Sequence, residues 1–242
     1  MIELSVNVNK IATLRNARGG DRPSVTAFAR AAIEAGAYGI TVHPRPDERH
    51  IRARDVFELL PLVREAGVEL NIEGYPDPRY LELVRETRPD QATLVPDPPN
   101  VLTSDAGWDP EQQHAFLVDV VATIHDWGPR VSLFMETDLA AIDAARETGA
   151  DRIELYTGPF AEHFQAGRGP ESYAVYEQAA RHATDLGLGL NAGHDLDLHN
   201  LRLFRRLPGL QEVSIGHALT CDALEVGWTP AIRRYLEVLA GG

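Results

Sequence analysis

Four histidines occupy comparable places in the sequence, at or just after the end of a short apolar segment. They are His43, His50, His194 and His217. A histidine exchanges protons near neutral pH, and a glutamate such as Glu73 does so when burial adjusts its pKa. A single histidine at such a position would more often serve the structure alone. Four of them, accompanied by a glutamate and several arginines, indicate an active site that moves protons.

Arginines and glycines near the same segment ends suggest that this site holds phosphorylated substrates. The planar guanidinium of an arginine such as Arg45 matches the oxygens of a phosphate. Gly193 and Gly216 would let backbone N–H groups approach an anion, although ordinary turn geometry accounts equally well for a glycine there. The polar residues that follow the first apolar segment are Asn7, Asn9, Lys10, Arg15 and Arg18.

The elements that must position these residues follow from a repeated pattern. Short apolar segments rich in β-branched residues alternate with amphipathic segments, which predicts an α/β protein with eight parallel strands closed into a single (β/α)8 TIM barrel, with additional short helices, over residues 1–242. A doubly wound sheet is the alternative, but the first turn lacks its glycine-rich sequence. Catalytic residues of such barrels lie at the C-terminal ends of the strands. The predicted strands are Ile2–Val8, Gly39–His43, Glu69–Glu73, Gln91–Val95, Arg130–Met135, Arg152–Tyr156, Gly187–Asn191 and Glu212–Gly216.

The amphipathic segments carry the signals of helix ends. Most are followed by a glycine, which supplies the left-handed C-terminal cap, and several begin with proline, which suits the first turn. The predicted helices are Val25–Ala35, Ala53–Ala66, Pro78–Thr87, Pro110–Trp127, Leu139–Thr148 and Glu171–Leu186.

A long loop, Pro96–Trp108, follows the fourth predicted strand and carries Thr103 near its centre. It leaves the end of the barrel where we expect the chemistry. Its length is typical of a lid that excludes water during a reaction, and an ordinary surface loop is the alternative.

Composition restricts the class of function. The net charge of -13 argues against general binding of nucleic acid, which requires a basic surface. No apolar run is long enough to span a membrane, no secretory signal is evident, and Cys221 is the only cysteine, so we expect a cytoplasmic enzyme. Lys10 is the only lysine, which fits either codon bias in a GC-rich genome or adaptation to a high-salt cytoplasm.

Several segments together resemble the signature segments of the pyridoxine 5'-phosphate synthase family, which acts in vitamin B6 biosynthesis. They are VNVNKIATLRNARGG, GITVHPRPDERHI, LNIEGYP, TLVPD, GADRIELYTGP, LGLNAGHDL and VSIGHAL, in order from residue 6 to residue 219. The resemblance implies a transferase that condenses 1-deoxy-D-xylulose 5-phosphate with 3-amino-2-oxopropyl phosphate to form pyridoxine 5'-phosphate, phosphate and water. It implies no metal or organic cofactor, and a homooctamer built from dimers.

The resemblance also implies roles for individual residues. His43 and Glu73 match the family's proton acceptors, and His194 matches its proton donor. Arg18 is expected to reach the site of a neighbouring subunit. The positions expected to hold the substrates and their phosphates are Asn7, Asn9, Lys10, Arg18, Arg45, His50, Thr103, Asp195, Gly216 and His217.

This chain departs from many family members in three places. An amide and an ammonium, Asn9 and Lys10, replace an aspartate and a histidine. Asp195 stands where many members have glycine, and the sequence 221–223 differs from the usual Gly-Arg-Ala. A substrate contact through the backbone at residue 195 survives such a change, whereas one that depends on glycine's conformation does not.

Three other functions fit parts of the sequence. A Schiff-base aldolase acting on sugar phosphates would use Lys10 as its nucleophile. A metal-dependent hydrolase would use His43, Glu73, His194 and His217 as ligands, although no usual metal-binding spacing is present and nearby arginines would repel a cation. A non-catalytic paralogue would bind a phosphorylated metabolite without turning it over.

Overall fold

The computed structural model describes residues 2–97 and 106–241. Within these ranges, eight parallel strands form a closed barrel in chain order, and the last strand pairs with the first. The predicted (β/α)8 fold is therefore confirmed. The strands are β1 (Glu3–Asn7), β2 (Gly39–Val42), β3 (Glu69–Gly74), β4 (Gln91–Leu94), β5 (Arg130–Met135), β6 (Arg152–Tyr156), β7 (Gly189–Gly193) and β8 (Leu210–Ile215).

The helices surround the barrel and also occupy several of its loops. All six helices predicted between strands are present, three of them with the predicted bounds. For the other helices the sequence predicts no bounds. Four of them, α1, α7, α9 and α10, are short additions to the barrel. The helices are α1 (Asn9–Asn16), α2 (Val25–Ala35), α3 (Ala53–Ala66), α4 (Pro78–Thr87), α5 (His114–His125), α6 (Leu139–Glu147), α7 (Gly158–Gln165), α8 (Gly169–Asp185), α9 (Leu201–Phe204), α10 (His217–Val226) and α11 (Trp228–Ala240). None of the helices in the described ranges combines the length and the apolar character that crossing a bilayer requires.

Local signals in the sequence explain where the helices begin and end. The Ser24 side chain accepts a hydrogen bond from the Ala27 N–H and caps the start of α2, which ends at Gly36 with φ of 110°. Asp77 caps α4 in the same way by accepting from Tyr80 N at 2.7 Å, and Pro78 fits the first turn. These caps satisfy backbone groups that a helix leaves unpaired at its ends.

The strands place apolar and polar residues on opposite faces. Outward residues such as Leu4, Ile40 and Leu70 are fully buried against the surrounding helices and form the hydrophobic core. The Tyr80 hydroxyl of α4 donates to the Ile72 carbonyl at 2.9 Å, which fastens this helix to β3. Burial of this continuous apolar layer is the main stabilisation of the barrel.

The inward faces carry polar side chains that bond to one another across the barrel. The hydroxyls of Ser5 and Thr41 lie 2.6 Å apart, and Asn71 Nδ2 donates to Thr41 Oγ1 at 3.4 Å. Thr93 Oγ1 donates to Asn71 Oδ1 at 2.9 Å, and Gln91 Nε2 donates to Thr93 Oγ1 at 3.2 Å. These five side chains therefore satisfy one another in an interior where an unpaired polar group is costly, whereas the buried Ser132 hydroxyl on β5 has no hydrogen-bond partner among the described residues.

The seventh strand differs from its predicted range. β7 runs over Gly189–Gly193 rather than Gly187–Asn191, because Gly187 adopts φ of 79° in the turn that ends α8. Asn191 consequently lies in the middle of the strand and not at its catalytic end. Its side chain donates to Gln91 Oε1 at 3.3 Å and accepts from Arg152 at 3.0 Å, within the polar interior.

Candidate active site

The C-terminal ends of the first three strands bring together the residues best suited to acid–base chemistry. His43 Nδ1 lies 3.9 Å from Glu73 Oε2, and Asn7 Nδ2 donates to the same oxygen at 3.5 Å. Asn7 also accepts from the Asn9 backbone N–H at 3.0 Å. His43, Glu73 and Asn7 thus share one buried cluster, as the sequence predicted.

Asn9 holds the backbone of this cluster in place. Its Oδ1 accepts a hydrogen bond from the His43 N–H at 2.9 Å, which joins the start of α1 to the end of β2. An amide oxygen accepts this bond as the carboxylate of an aspartate would. Either asparagine or aspartate could therefore make this contact at residue 9.

The environment of the cluster leaves His43 without a proton to give up and Glu73 with one, because it shifts their pKa values in opposite directions. Burial, together with the charge of Arg45, lowers the pKa of His43 well below 6.5. Burial and the nearby carboxylates of Asp97 and Glu212 raise the pKa of Glu73 to about 8. At neutral pH the imidazole is therefore an unprotonated base and the carboxyl a protonated acid. Their contact joins two neutral groups and is not an ion pair.

Glu154 belongs to the same interior, although the sequence gave no reason to select it. Its side chain is buried within β6, and burial with the charges of Glu73 and Glu212 raises its pKa well above 4.5. A Cβ placed on Gly193 would lie 2.3 Å from Glu154 Oε1, so this carboxyl occupies the space that a larger residue on β7 would fill. The signal that could have identified it is the alternation of side chains along a strand. Glu154 is two residues from both Arg152 and Tyr156, which also face inward.

His194 and Asp195 follow β7 in an unusual backbone conformation. Their φ angles are 85° and 55°, in the left-handed region that favours glycine. The Thr157 hydroxyl donates to the carbonyls of Gly193, at 2.7 Å, and His194, which fixes this turn. Asp195 thus keeps a glycine-like conformation without being glycine, as aspartate does more readily than most residues.

The His194 ring lies at the same mouth of the barrel but on its far side from His43. It packs edge to face on Tyr156, with centroids 5.3 Å apart, and its Nδ1 lies 3.3 Å from Asp195 Oδ2. Within the described ranges, no hydrogen bond joins it to His43 or Glu73. The three predicted catalytic residues therefore share one end of the barrel, and two of them are in contact.

The loop after β2 supplies basic and neutral donors. The Arg45 guanidinium is buried and pairs with Asp97 at 3.1 Å. His50 Nδ1 accepts from the Ile51 N–H at 2.9 Å. Burial and the charges of Arg45 and Arg49 lower the pKa of His50 to about 4, so the ring is neutral. Because Nδ1 accepts, the proton of the neutral ring resides on Nε2, which can donate to a substrate oxygen.

The predicted binding residues after β1 have different environments. Lys10 is exposed in the first turn of α1. The hydrogen bond from His194 lowers the pKa of Asp195, and the charge of Lys10 adds to this effect. Arg18 is exposed in the turn after α1. Arg15, by contrast, forms a buried ion pair with Asp55 at 2.5 Å and serves the structure. Thr103 lies outside the described residues.

The eighth strand leads into a tight backbone approach. A Cβ on Gly216 would lie 3.0 Å from the Asn7 Cβ, so a side chain there would press on the residue that contacts Glu73. His217 is the first residue of α10, and its Nε2 lies 3.7 Å from Cys221 Sγ. Backbone N–H groups at the start of such a helix suit an anion. Within the described ranges, no group of three or more His, Cys, Asp or Glu side chains is arranged to hold a metal ion.

Comparison with known sequences gives consistent matches over the whole chain. Residues 4–241 match the family model described as pyridoxal phosphate biosynthesis protein PdxJ. The pyridoxine 5'-phosphate synthase of Porphyromonas gingivalis is 54% identical over 241 residues, covering 99% of this chain and 100% of the relative. The enzyme of the same name from Xanthomonas campestris pv. campestris strain B100 is 54% identical, covering 99% of this chain and 96% of the relative.

Comparison with solved structures gives more distant matches. A native KDPGal structure has a TM-score of 0.64 at 11% identity and covers 98% of this chain and 96% of that one. The thiamine phosphate pyrophosphorylase from Pyrococcus furiosus has a TM-score of 0.62 at 13% identity, covering 99% and 96%. At these identities the likeness establishes the fold alone.

Proposed function

The chain belongs to the PdxJ family of pyridoxal phosphate biosynthesis proteins, and on this premise we propose that it is a pyridoxine 5'-phosphate synthase. In this proposal the active site is the mouth of the barrel at which His43, Glu73 and His194 lie. The enzyme condenses 1-deoxy-D-xylulose 5-phosphate with 3-amino-2-oxopropyl phosphate and closes the pyridine ring, releasing phosphate and water. The observation that carries this proposal is identity of 54% to a pyridoxine 5'-phosphate synthase over 99% of the chain. We assign residues 1–242 to one catalytic domain.

Glu73 is suited to the dehydration that follows attack of the amine on the ketone. The carbinolamine formed in that attack must lose its hydroxyl as water, which requires a proton on the departing oxygen. Glu73, with a pKa of about 8, is protonated at neutral pH and can deliver it. The resulting carboxylate, held by Asn7 Nδ2, then accepts a proton in a later step.

His43 is suited to the steps that remove protons from carbon. Its pKa is lowered by burial and by neighbouring cations, so the ring is unprotonated when substrate arrives. The hydrogen bond from its backbone N–H to Asn9 fixes its position against Glu73. A proton taken by His43 can pass to Glu73, 3.9 Å away, through a short rearrangement or one water molecule.

We assign His194 the delivery of a proton to a departing oxygen of phosphate or water. The backbone conformation set by Thr157 and the packing on Tyr156 orient its ring at the mouth. Glu154 lies beside Gly193, the residue before His194, and supplies a further protonated carboxyl to the interior.

The remaining predicted residues hold the substrates in this proposal. His50 Nε2–H and the backbone at Gly216 and His217 would donate to phosphate oxygens. Lys10 and Arg18, both exposed, would add positive charge at the mouth. The other members of the proposed binding set are Asn7, Asn9, Arg45, Thr103 and Asp195.

We further propose a cytoplasmic homooctamer in which Arg18 reaches the site of a neighbouring subunit. Leu14 of α1 and Leu224 of α10 are 58% and 79% exposed, and these two helices contact each other. Apolar side chains exposed this far on adjacent helices support a contact between subunits there. Sedimentation velocity would give the oligomer size, and a monomer at micromolar concentration would contradict the proposal.

The deciding experiment is incubation of the purified protein with both substrates and detection of pyridoxine 5'-phosphate by absorbance and mass. Formation of product and phosphate in equal amounts is the expected result. Binding of deoxyxylulose phosphate without turnover would instead favour the non-catalytic paralogue. A borohydride-stable adduct at Lys10 would favour the aldolase, but this amine is exposed and lacks the desolvation that such lysines need.

A further inference from the structure

Arg79 stands beside the proposed catalytic cluster, although nothing in the sequence selected it. It lies in the first turn of α4, directly after the loop that follows β3. Its Nη2 donates to the carbonyl of Pro44, the residue next to His43. One N–H of this guanidinium therefore ties α4 to the loop that carries the proposed base.

The other donors of Arg79 are not satisfied by the protein. Its Nε and Nη1 atoms are inaccessible to solvent, and neither has a hydrogen-bond partner among the described residues. Within those ranges no ion pair joins Arg79 to a carboxylate. Unpaired donors on a cation inside a protein are costly, and arginines in such places normally bind an anion.

The charge of Arg79 acts within the site. After burial and the charge of Arg45, the charge of Arg79 also disfavours protonation of His43. Arg45 differs from Arg79 because its guanidinium already pairs with Asp97 at 3.1 Å. Three guanidinium groups thus act on the same base, because Arg49, which pairs with Asp47 at 2.7 Å, also lowers the pKa of His43. Of the three, Arg79 is the one whose charge has no carboxylate partner among the described residues.

We infer that Arg79 is a further substrate-binding residue: a small movement of the surrounding side chains would give an anionic oxygen of a phosphate monoester access to its unpaired Nε and Nη1 donors, while Nη2 holds the Pro44 carbonyl. The inference rests on the proposed function, since both substrates of that reaction are phosphate monoesters. A phosphate oxygen supplies both the acceptor and the negative charge that this guanidinium lacks.

The test compares three variants with the wild-type enzyme. Arg79→Met removes the charge and the donors, and Arg79→Lys retains the charge but loses the planar set of guanidinium donors. Arg64→Met is the matched control, because Arg64 Nη2 also donates to one backbone carbonyl, that of Thr87 at 3.1 Å, at the opposite end of the helix layer. The measurements are kcat, the KM for each substrate, inhibition by inorganic phosphate, and thermal stability.

For Arg79→Met we expect the KM of one substrate to rise by about 10- to 100-fold, with phosphate inhibition weakened in parallel and a much smaller change in kcat. Arg79→Lys should recover part of this loss. Arg64→Met should leave the KM values and phosphate inhibition unchanged. Values of KM for both substrates within about twofold of wild type would overturn the inference. So would an equal fall in kcat and stability in both Arg79 variants, which would mean that Arg79 only supports the loop after β2.

Two further outcomes keep the inference separate from the proposed function. If Arg79→Met does not fold, Arg79→Lys decides, because an ammonium cannot place both missing donors and should still raise KM several-fold. If wild-type protein forms no pyridoxine 5'-phosphate, the proposed function fails. Calorimetric titration with inorganic phosphate then tests Arg79 directly, and equal binding by wild type and Arg79→Lys would refute its role.

Discussion

Replacing Glu73 by glutamine should remove most of the turnover and yet make the protein more stable at alkaline pH. Burial, with the charges of Asp97 and Glu212, raises the pKa of Glu73 from 4.5 to about 8. The folded state therefore holds this proton more tightly than the unfolded chain does. The stability that protonated Glu73 contributes is fully present below the unfolded pKa of 4.5 and is lost as the pH rises through 8. At about 1.4 kcal/mol per pH unit between the two pKa values, the loss in wild type approaches roughly 4 to 5 kcal/mol.

The Glu73→Gln variant cannot titrate and should escape this loss. Its amide oxygen still accepts from Asn7 Nδ2, so the packing of the cluster is preserved. Denaturant unfolding at intervals from about pH 5 to about pH 9 should give similar stabilities at the acid end and a variant several kcal/mol more stable at the alkaline end. Product formation, measured in parallel, should fall by about 10²-fold or more if Glu73 transfers protons.

Glu69→Gln provides a control of opposite sign in the same strand. Burial favours the neutral form of Glu69. The hydrogen bond from Arg130 and the positive charge of that side chain outweigh burial and lower the pKa of Glu69 below 4.5. Such a carboxylate stabilises the fold above the unfolded pKa and loses that contribution as the pH falls. The Glu69 variant should therefore be less stable than wild type at neutral pH, with the gap closing in acid. Wild type and Glu73→Gln curves that run parallel over the whole range would refute the assignment of a raised pKa to Glu73.

Three further substitutions test other parts of the argument. His43→Asn should reduce kcat by about 10²-fold or more with little change in melting temperature, and turnover like that of wild type would remove His43 from the mechanism. Gly216→Ala should lower kcat/KM by about tenfold or more, because its Cβ would press on Asn7 at 3.0 Å; unchanged kinetics would show that Asn7 can move freely. Arg15→Met should cost about 3 to 5 kcal/mol in the free energy of unfolding, since it leaves Asp55 buried without its partner, and a loss below about 1 kcal/mol would contradict this.

The fold could be predicted because its signals are local. Glycines such as Gly36 and Gly67 end helices in the left-handed conformation, and β-branched segments alternate with amphipathic ones. The helix α1 was not predicted, because it follows β1 after only one residue and no side chain caps its start. The helix α10 similarly begins directly after Gly216, at a residue selected for its chemistry.

The site could be predicted where its residues stand at strand ends, and could not where they lie inside a strand or depend on distant partners. His43 follows β2, and its predicted proximity to Glu73 is found in the structure, whereas the catalytic role of either residue stays a prediction. Glu154 lies within β6, and its place beside Gly193 follows from the pairing of two strands. Arg79 escaped notice because nothing in a helix sequence reveals that two of its donors will be buried without partners.

The same strand register that stabilises the barrel also places its chemistry. In β1 the side chains of Ser5 and Asn7 face inward, while Leu4 and Val6, which alternate with them along the strand, are fully buried in the core. In β3, Asn71 and Glu73 face inward in the same way. A slip of one residue would reverse both faces, exposing polar groups to the apolar layer and withdrawing Asn7 and Glu73 from the mouth. The free energy that fixes the register by burying the apolar face is therefore also what holds Glu73 in position beside His43. Loss of turnover should accompany any substitution that shifts β1 or β3, even one far from the mouth.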